Sequence, residues 1–151
     1  MYIDQMPIFK TCPMCERKWE NRESFLDDPE LEFIGYQADF GLPEDGLFYF
    51  THEAAGCGST MAVKVEFFLS LYAGKRYTDI KMLSIECPGY CLNRDLLQRC
   101  KARCRYAYVR EVSQVIKDRM KNILLTGLLK RTDPAAVNGA VRDENADLLA
   151  D

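Results

Sequence analysis

Residues 47–65 read Leu-Phe-Tyr-Phe-Thr-His-Glu-Ala-Ala-Gly-Cys-Gly-Ser-Thr-Met-Ala-Val-Lys-Val. Aromatic and β-branched residues fill both ends, and the middle collects the small and polar residues that make turns, so the stretch predicts two strands, Leu47–His52 and Thr60–Val65, joined as a hairpin. What the hairpin carries matters more than the hairpin itself. His52, the single histidine of the chain, and Cys57 bracket the turn Glu53-Ala54-Ala55-Gly56. An imidazole and a thiol offered from the two sides of one turn are two of the four ligands that a tetrahedral metal site needs.

Working outward, the missing pair is upstream. Cys12-Pro13-Met14-Cys15 has the spacing at which a tight turn aims two thiolates at one ion, with backbone N–H groups pointing at the sulfurs. Cys12, Cys15, His52 and Cys57 are therefore expected to close a site of three cysteines and one histidine. Leu31–Tyr36 supplies a further strand, and Asn21–Asp28 is long enough for a turn or two of helix before Pro29. Through Cys12-Pro13-Met14-Cys15 and Cys57-Gly58, residues 10–65 resemble the zinc-ribbon and rubredoxin-like knuckle group. That resemblance implies a small β region built around one metal ion. Its second ligand pair departs from the usual spacing, since four residues separate His52 from Cys57. A histidine ligand favours zinc over rubredoxin-type iron.

Downstream, Glu66–Ala73 is a short amphipathic helix ending at Gly74, and Thr78–Glu86 alternates like a strand. A second cysteine group follows, as two pairs: Cys87 and Cys91 in a Pro-Gly turn, then Cys100 and Cys104. From Arg94 the apolar period becomes three and four, through Leu97, Cys100, Cys104, Tyr108, Val112, Ile116 and Met120, which predicts one long helix capped by Asn93 and broken near Gly127. Turn and helix can then converge four sulfurs on one centre. Structural zinc is the first expectation for it, making two zinc sites in all, and a 4Fe–4S cluster at Cys87, Cys91, Cys100 and Cys104 is the alternative. Paired disulfides, as in the twin CxxxC chaperones, require both pairs on helices, and Pro88-Gly89 opposes that.

The expected fold class is α+β: a zinc-ribbon-like β region with a short helix over 1–76, a strand, the four-cysteine centre and the long helix over 77–131, and an acidic disordered tail over 132–151. Charge follows the same division. Residues 1–93 hold 8 basic and 15 acidic residues, 94–131 hold 11 and 3, and 132–151 hold 1 and 5. The basic middle block presents Arg94, Arg99, Lys101, Arg103, Arg105, Arg110, Lys117 and Lys121 as candidate contacts to nucleic acid or to an acidic protein. Neutralisation by the chain's own acidic first block is the competing account of the same pattern. The apolar stripe also allows a homodimer through the long helix.

Seven cysteines, an odd number, suit metal binding in a reducing compartment better than a closed disulfide set. With no apolar run long enough to span a membrane and no signal-peptide pattern in MYIDQMPIFK, the expectation is a cytoplasmic protein. No phosphate-binding loop or nucleophile elbow is present, and a site filled by four protein ligands has no open position for a reacting water. The sequence thus points to a non-enzymatic, metal-binding regulatory or adaptor protein, with an iron–sulfur or thiol redox protein as the rival.

Overall fold

The computed structural model describes residues 7–131, so the expected tail over 132–151 lies outside the described residues. The chain runs β1 (Lys10–Thr11), β2 (Lys18–Trp19), α1 (Arg22–Leu26), β3 (Leu31–Gln37), β4 (Leu47–His52), β5 (Thr60–Lys64) and α2 (Ala107–Arg131), with short 3-10 turns at Pro43–Asp45, Val65–Leu71 and Tyr90–Leu92. β1 and β2 form a two-stranded antiparallel ribbon, and β3, β4 and β5 form a three-stranded antiparallel sheet in that order. The architecture is mixed α+β.

Period-2 alternation decides which face of the sheet is covered. Phe48, Phe50 and His52 of β4 and Met61 and Val63 of β5 are buried, as are Leu31 and Phe33 of β3. Phe25 of α1 and Phe68 of the 3-10 turn pack onto that face, with ring centroids 4.9 Å apart for Phe25 and Phe50 and 5.6 Å for Phe48 and Phe68. Val109, Val112, Ile116 and Met120 of α2 join the same core, at the spacing of one helix face. Rings that each bury a large apolar surface in tilted and edge-on pairs supply most of the driving force for so small a sheet. His52 occupies the last core-facing register position of β4, so the alternation that builds the core also delivers the imidazole inside it.

β3 carries a bulge between Phe33 and Gly35, beyond which the backbone N–H of Tyr36 donates to the Arg94 carbonyl at 2.9 Å. Gly35 is needed there, because a Cβ would stand 3.0 Å from that carbonyl oxygen. This contact ties residues 90–96 to the sheet edge. It also explains the largest departure from the sequence expectation: α2 begins at Ala107, not at Arg94. Between these points the chain folds back along the helix, with Arg110 Nη1 donating to the carbonyls of Leu96 and Gln98 at 2.6 and 3.1 Å and Gln114 Nε2 to that of Leu97 at 2.8 Å. Helix side chains thus take up carbonyls that the expected helix would have used internally. Cys100 and Cys104 consequently do not project from a helix.

Two further elements differ. Residues 78–86 form turns rather than a strand, held by N–H donations from Ser84 to the Lys81 carbonyl and from Cys87 to the Ser84 carbonyl, and the helix expected over 66–73 is the 3-10 turn Val65–Leu71. The short helix does form, as α1, with Asn21 accepting from the Ser24 N–H at 2.8 Å and Ser24 answering the Asn21 N–H at 3.3 Å in a reciprocal cap.

Candidate metal centre

Two tight turns build the site. In the first, the Cys12 N–H donates to the Arg17 carbonyl at 2.7 Å and the Glu16 N–H to the Cys12 carbonyl at 3.0 Å, and Glu16 takes a left-handed conformation at φ 64° to close the turn. In the second, the Cys57 N–H donates to the Ala54 carbonyl and the Gly58 N–H to the His52 carbonyl, with Gly56 and Gly58 at φ 80° and 86°, where a side chain would be strained. The β1–β2 ribbon presents the first turn and the β4–β5 hairpin the second.

Cys12, Cys15, His52 and Cys57 meet between them, with all four ligand atoms within 4.8 Å of one another, and the group can hold a metal ion. Cys12 Sγ lies 3.6 Å from Cys57 Sγ, and Cys15 Sγ lies 3.4 Å from His52 Nδ1. Four ligands around one zinc at Zn–S ~2.3 Å and Zn–N ~2.0 Å would stand ~3.5–3.8 Å apart. The Cys12–Cys57 and Cys15–His52 separations match that spacing.

The surroundings favour thiolates. Burial opposes ionisation of Cys12, yet N–H groups of Cys15 and Met14 and the Ser59 hydroxyl, 3.2 Å away, bring its pKa down from 9.0 to about 5. Ser59 also lowers Cys57, from 3.5 Å. Cys15 is pushed up despite the helping N–H of Arg17, because desolvation and the neighbouring Cys12 and Cys57 sulfurs oppose its ionisation. For His52, burial favours the neutral ring, but the adjacent Cys12 and Cys57 sulfurs outweigh it and raise the pKa. A cation in this position would satisfy all four groups at once.

Around the ligands, Trp19 stacks edge-on against the His52 ring at 5.1 Å and donates its indole N–H to Asp28 at 2.8 Å. His52 Nε2 is buried with no hydrogen-bond partner, while carboxylate oxygens of Asp28 and Glu30 stand within 4.8 Å of the ring. A carboxylate behind a ligating histidine fixes its orientation and raises its basicity. Ser59, Trp19 and Asp28 escaped the sequence reading. Only Ser59 left a signal, as the third residue of Cys57-Gly58-Ser59 next to a ligand.

The second cysteine group is brought together differently. Cys87, Cys91, Cys100 and Cys104 all line one cavity, along with Met82, Tyr90, Tyr106 and Arg110. No three of their sulfurs come within 4.8 Å of one another, so they are not gathered at the spacing of a single ion. Backbone N–H groups point at two of them, Gly89 at Cys87 Sγ from 3.4 Å and Lys81 at Cys104 Sγ from 3.3 Å.

The candidate cationic contacts divide. Arg110 is fully buried and belongs to the cavity rather than to an outer face. Arg99 is paired to Glu111 at 2.8 Å and Arg103 to Glu86 at 3.7 Å, and Arg94 lies over the Tyr49 ring at 5.2 Å. Lys101, Lys117 and Lys121 are exposed, and Arg105 is half-buried. No helix among the described residues is long and apolar enough to cross a membrane. Compared with known protein families, with characterised proteins and with solved structures, the chain matches none.

Proposed function

We propose that the chain is a non-enzymatic adaptor or regulatory module in which Cys12, Cys15, His52 and Cys57 hold a structural zinc ion and the surface around α2 and the 78–86 loop receives a protein partner. The observation that carries the zinc assignment is the closed ligand set: three sulfurs and one imidazole nitrogen at single-ion spacing. Such a set leaves no position for a reacting water and suits zinc better than the softer or harder alternatives.

Two features support a protein partner over nucleic acid. Some cations of the 94–131 block are engaged within the chain, Arg99 with Glu111, Arg103 with Glu86, and Arg119 with Glu23 and Asp27, and Arg110 is buried, which thins the cationic face a phosphate backbone would meet. The 78–86 loop, by contrast, turns aliphatic side chains outward, with Ile80, Leu83 and Ile85 54%, 86% and 106% exposed. Leu83 is held there at φ 67°, a conformation that costs a residue with a side chain about 1 kcal/mol or more and is characteristic of functional positions. Lys101 and Arg105 lie near this loop, Arg105 donating its backbone N–H to the Asp79 carbonyl and Lys101 sharing a groove with Glu86, and they add positive charge for an acidic protein.

Fluorescence anisotropy with single- and double-stranded probes at low salt tests the choice. The proposal predicts no measurable binding. Binding whose logarithm falls with the logarithm of salt by ~0.9 per phosphate contact, and which weakens on replacing Arg94, Lys101 and Arg105 with Gln, would put nucleic acid in the partner's place.

A further inference from the structure

Arg110 poses a chemical problem that the zinc site does not touch. Its guanidinium cannot lose its proton at any ordinary pH, and it is fully buried in the first turn of α2. Nη1 is satisfied by the Leu96 and Gln98 carbonyls, but Nε and Nη2 are buried with no hydrogen-bond partner. Tyr36 and Tyr90 lie against the group, with its central carbon 5.4 and 5.5 Å from their ring centroids. These contacts stabilise the charge only modestly, and no carboxylate pairs with it among the described residues. What the guanidinium does face is the cavity lined by Cys87, Cys91, Cys100 and Cys104. A buried cation at the wall of a four-thiol cavity favours negative charge there, as thiolates or as an anionic group that the thiolates hold.

The spacing of the sulfurs narrows what that occupant is. Four thiolates on one zinc ion would stand ~3.8 Å apart, and no three of these sulfurs approach within 4.8 Å of one another. An iron–sulfur cubane is bound at its four corners, so its thiolates stand further apart than those around one ion, enclosing a cavity between them. The cavity is lined otherwise by Lys81, Met82, Pro88, Tyr90, Ala102, Tyr106 and Ala107, with Ala102, Cys104, Tyr106 and Ala107 buried on its inner side and Cys87, Cys91 and Cys100 half-buried. N–H groups of Gly89 and Lys81 already aim at Cys87 and Cys104, as they do at cluster sulfurs.

We propose that Cys87, Cys91, Cys100 and Cys104 hold a 4Fe–4S cluster and that Arg110 is its buried counter-charge. Two ferrous and two ferric ions with four sulfides make a core of charge +2, and the four thiols release their protons to buffer as they ligate. The oxidised site then carries −2, and uptake of one electron takes it to −3. Arg110 stabilises both states, and the reduced state more.

The test uses the full chain, purified anaerobically and supplied with equal ferrous and ferric iron and with sulfide. Iron and acid-labile sulfide are expected near four each per chain, with a brown colour that bleaches on adding dithionite and an electron paramagnetic resonance signal in the reduced protein. The double variant Cys100→Ala, Cys104→Ala should lose iron and sulfide together, while zinc at Cys12, Cys15, His52 and Cys57 persists and reports that the sheet remains folded. Because a cavity variant can also fail by misfolding, Arg110 supplies a second reading. Arg110→Gln should shift the reduction potential to more negative values, and Arg110→Lys should restore part of the difference. Zinc without labile sulfide at these cysteines, iron retained by the double variant, or a potential indifferent to Arg110→Gln would each overturn the proposal. Since zinc and iron are counted separately in one sample, failure of either assignment leaves the other readable.

Discussion

At the candidate metal centre, Ser59 sets one hydroxyl between two sulfurs, 3.2 Å from Cys12 Sγ and 3.5 Å from Cys57 Sγ, and so stabilises their thiolates before any metal arrives. Cys12 has a folded-state pKa of about 5 against an ordinary 9.0, so it is depressed on folding. A depressed acid stabilises the fold fully above its unfolded value and loses that contribution as pH falls through the folded one. Zinc should accordingly be retained at neutral pH and released as acid protonates its ligands. Ser59→Ala removes a hydrogen bond to a thiolate and should move the release midpoint upward by as much as about one pH unit, the equivalent of ~1.4 kcal/mol. Zinc release followed with a colorimetric chelator measures both, and an unmoved midpoint would show that Ser59 has no part in tuning the site. The ligands themselves were legible in the residues, because Cys12-Pro13-Met14-Cys15 and the lone histidine beside Cys57 are short-range signals. Arg110 was not. It lies four residues after Tyr106 and three before Ser113, both buried, yet neither arginine nor serine counts as apolar when a stripe is read.

Among the elements, the strands followed their alternation closely. Leu31–Gln37, Leu47–His52 and Thr60–Lys64 coincide with the expected segments to within a residue, because the local pattern and the buried face agree. α2 shows the opposite case. Its apolar period continues upstream to Leu97, but carbonyls of 96–98 are taken by Arg110 and Gln114 and that of Arg94 by Tyr36, contacts distant in sequence that periodicity does not see. The helix is fastened to α1 by Arg119, whose Nη1 lies 2.6 Å from Glu23 and whose Nη2 lies 2.9 Å from Asp27. The hydrogen bond from Arg119 lowers the Glu23 pKa against the opposing effect of burial. These carboxylates are about half exposed, so water screens the pair and Arg119→Ala should cost only about 0.5–1 kcal/mol, or ~2–4 °C in melting temperature. Glu23 is a depressed acid, so the difference between wild type and variant should shrink as pH falls through its lowered range. Thermal melts at neutral and acid pH check this, and a variant as stable as wild type at neutral pH would mean that the contact contributes nothing.

For the whole molecule, the two cysteine groups sit in contrasting surroundings. The β core and α2 share a single buried cluster that runs from Cys12 and Trp19 to Ile116 and Met120, while the loops between Gly74 and Tyr106 are short of regular structure and turn around the second cysteine cavity. Loops of that length order poorly without a ligand to organise them. The sheet side closes instead on the first centre. Structural zinc contributes on the order of 10 kcal/mol of apparent binding free energy in small domains, comparable to the whole net stability of ~5–15 kcal/mol. The central claim is therefore that Cys12, Cys15, His52 and Cys57 together hold one zinc ion. Zinc content per chain, measured on the protein as purified beside the double variant Cys12→Ser, Cys57→Ser, tests it most directly. One zinc attributable to this site is expected in the wild type, and its loss in the variant. Wild-type protein without zinc, or a variant that keeps the same zinc content, would contradict it.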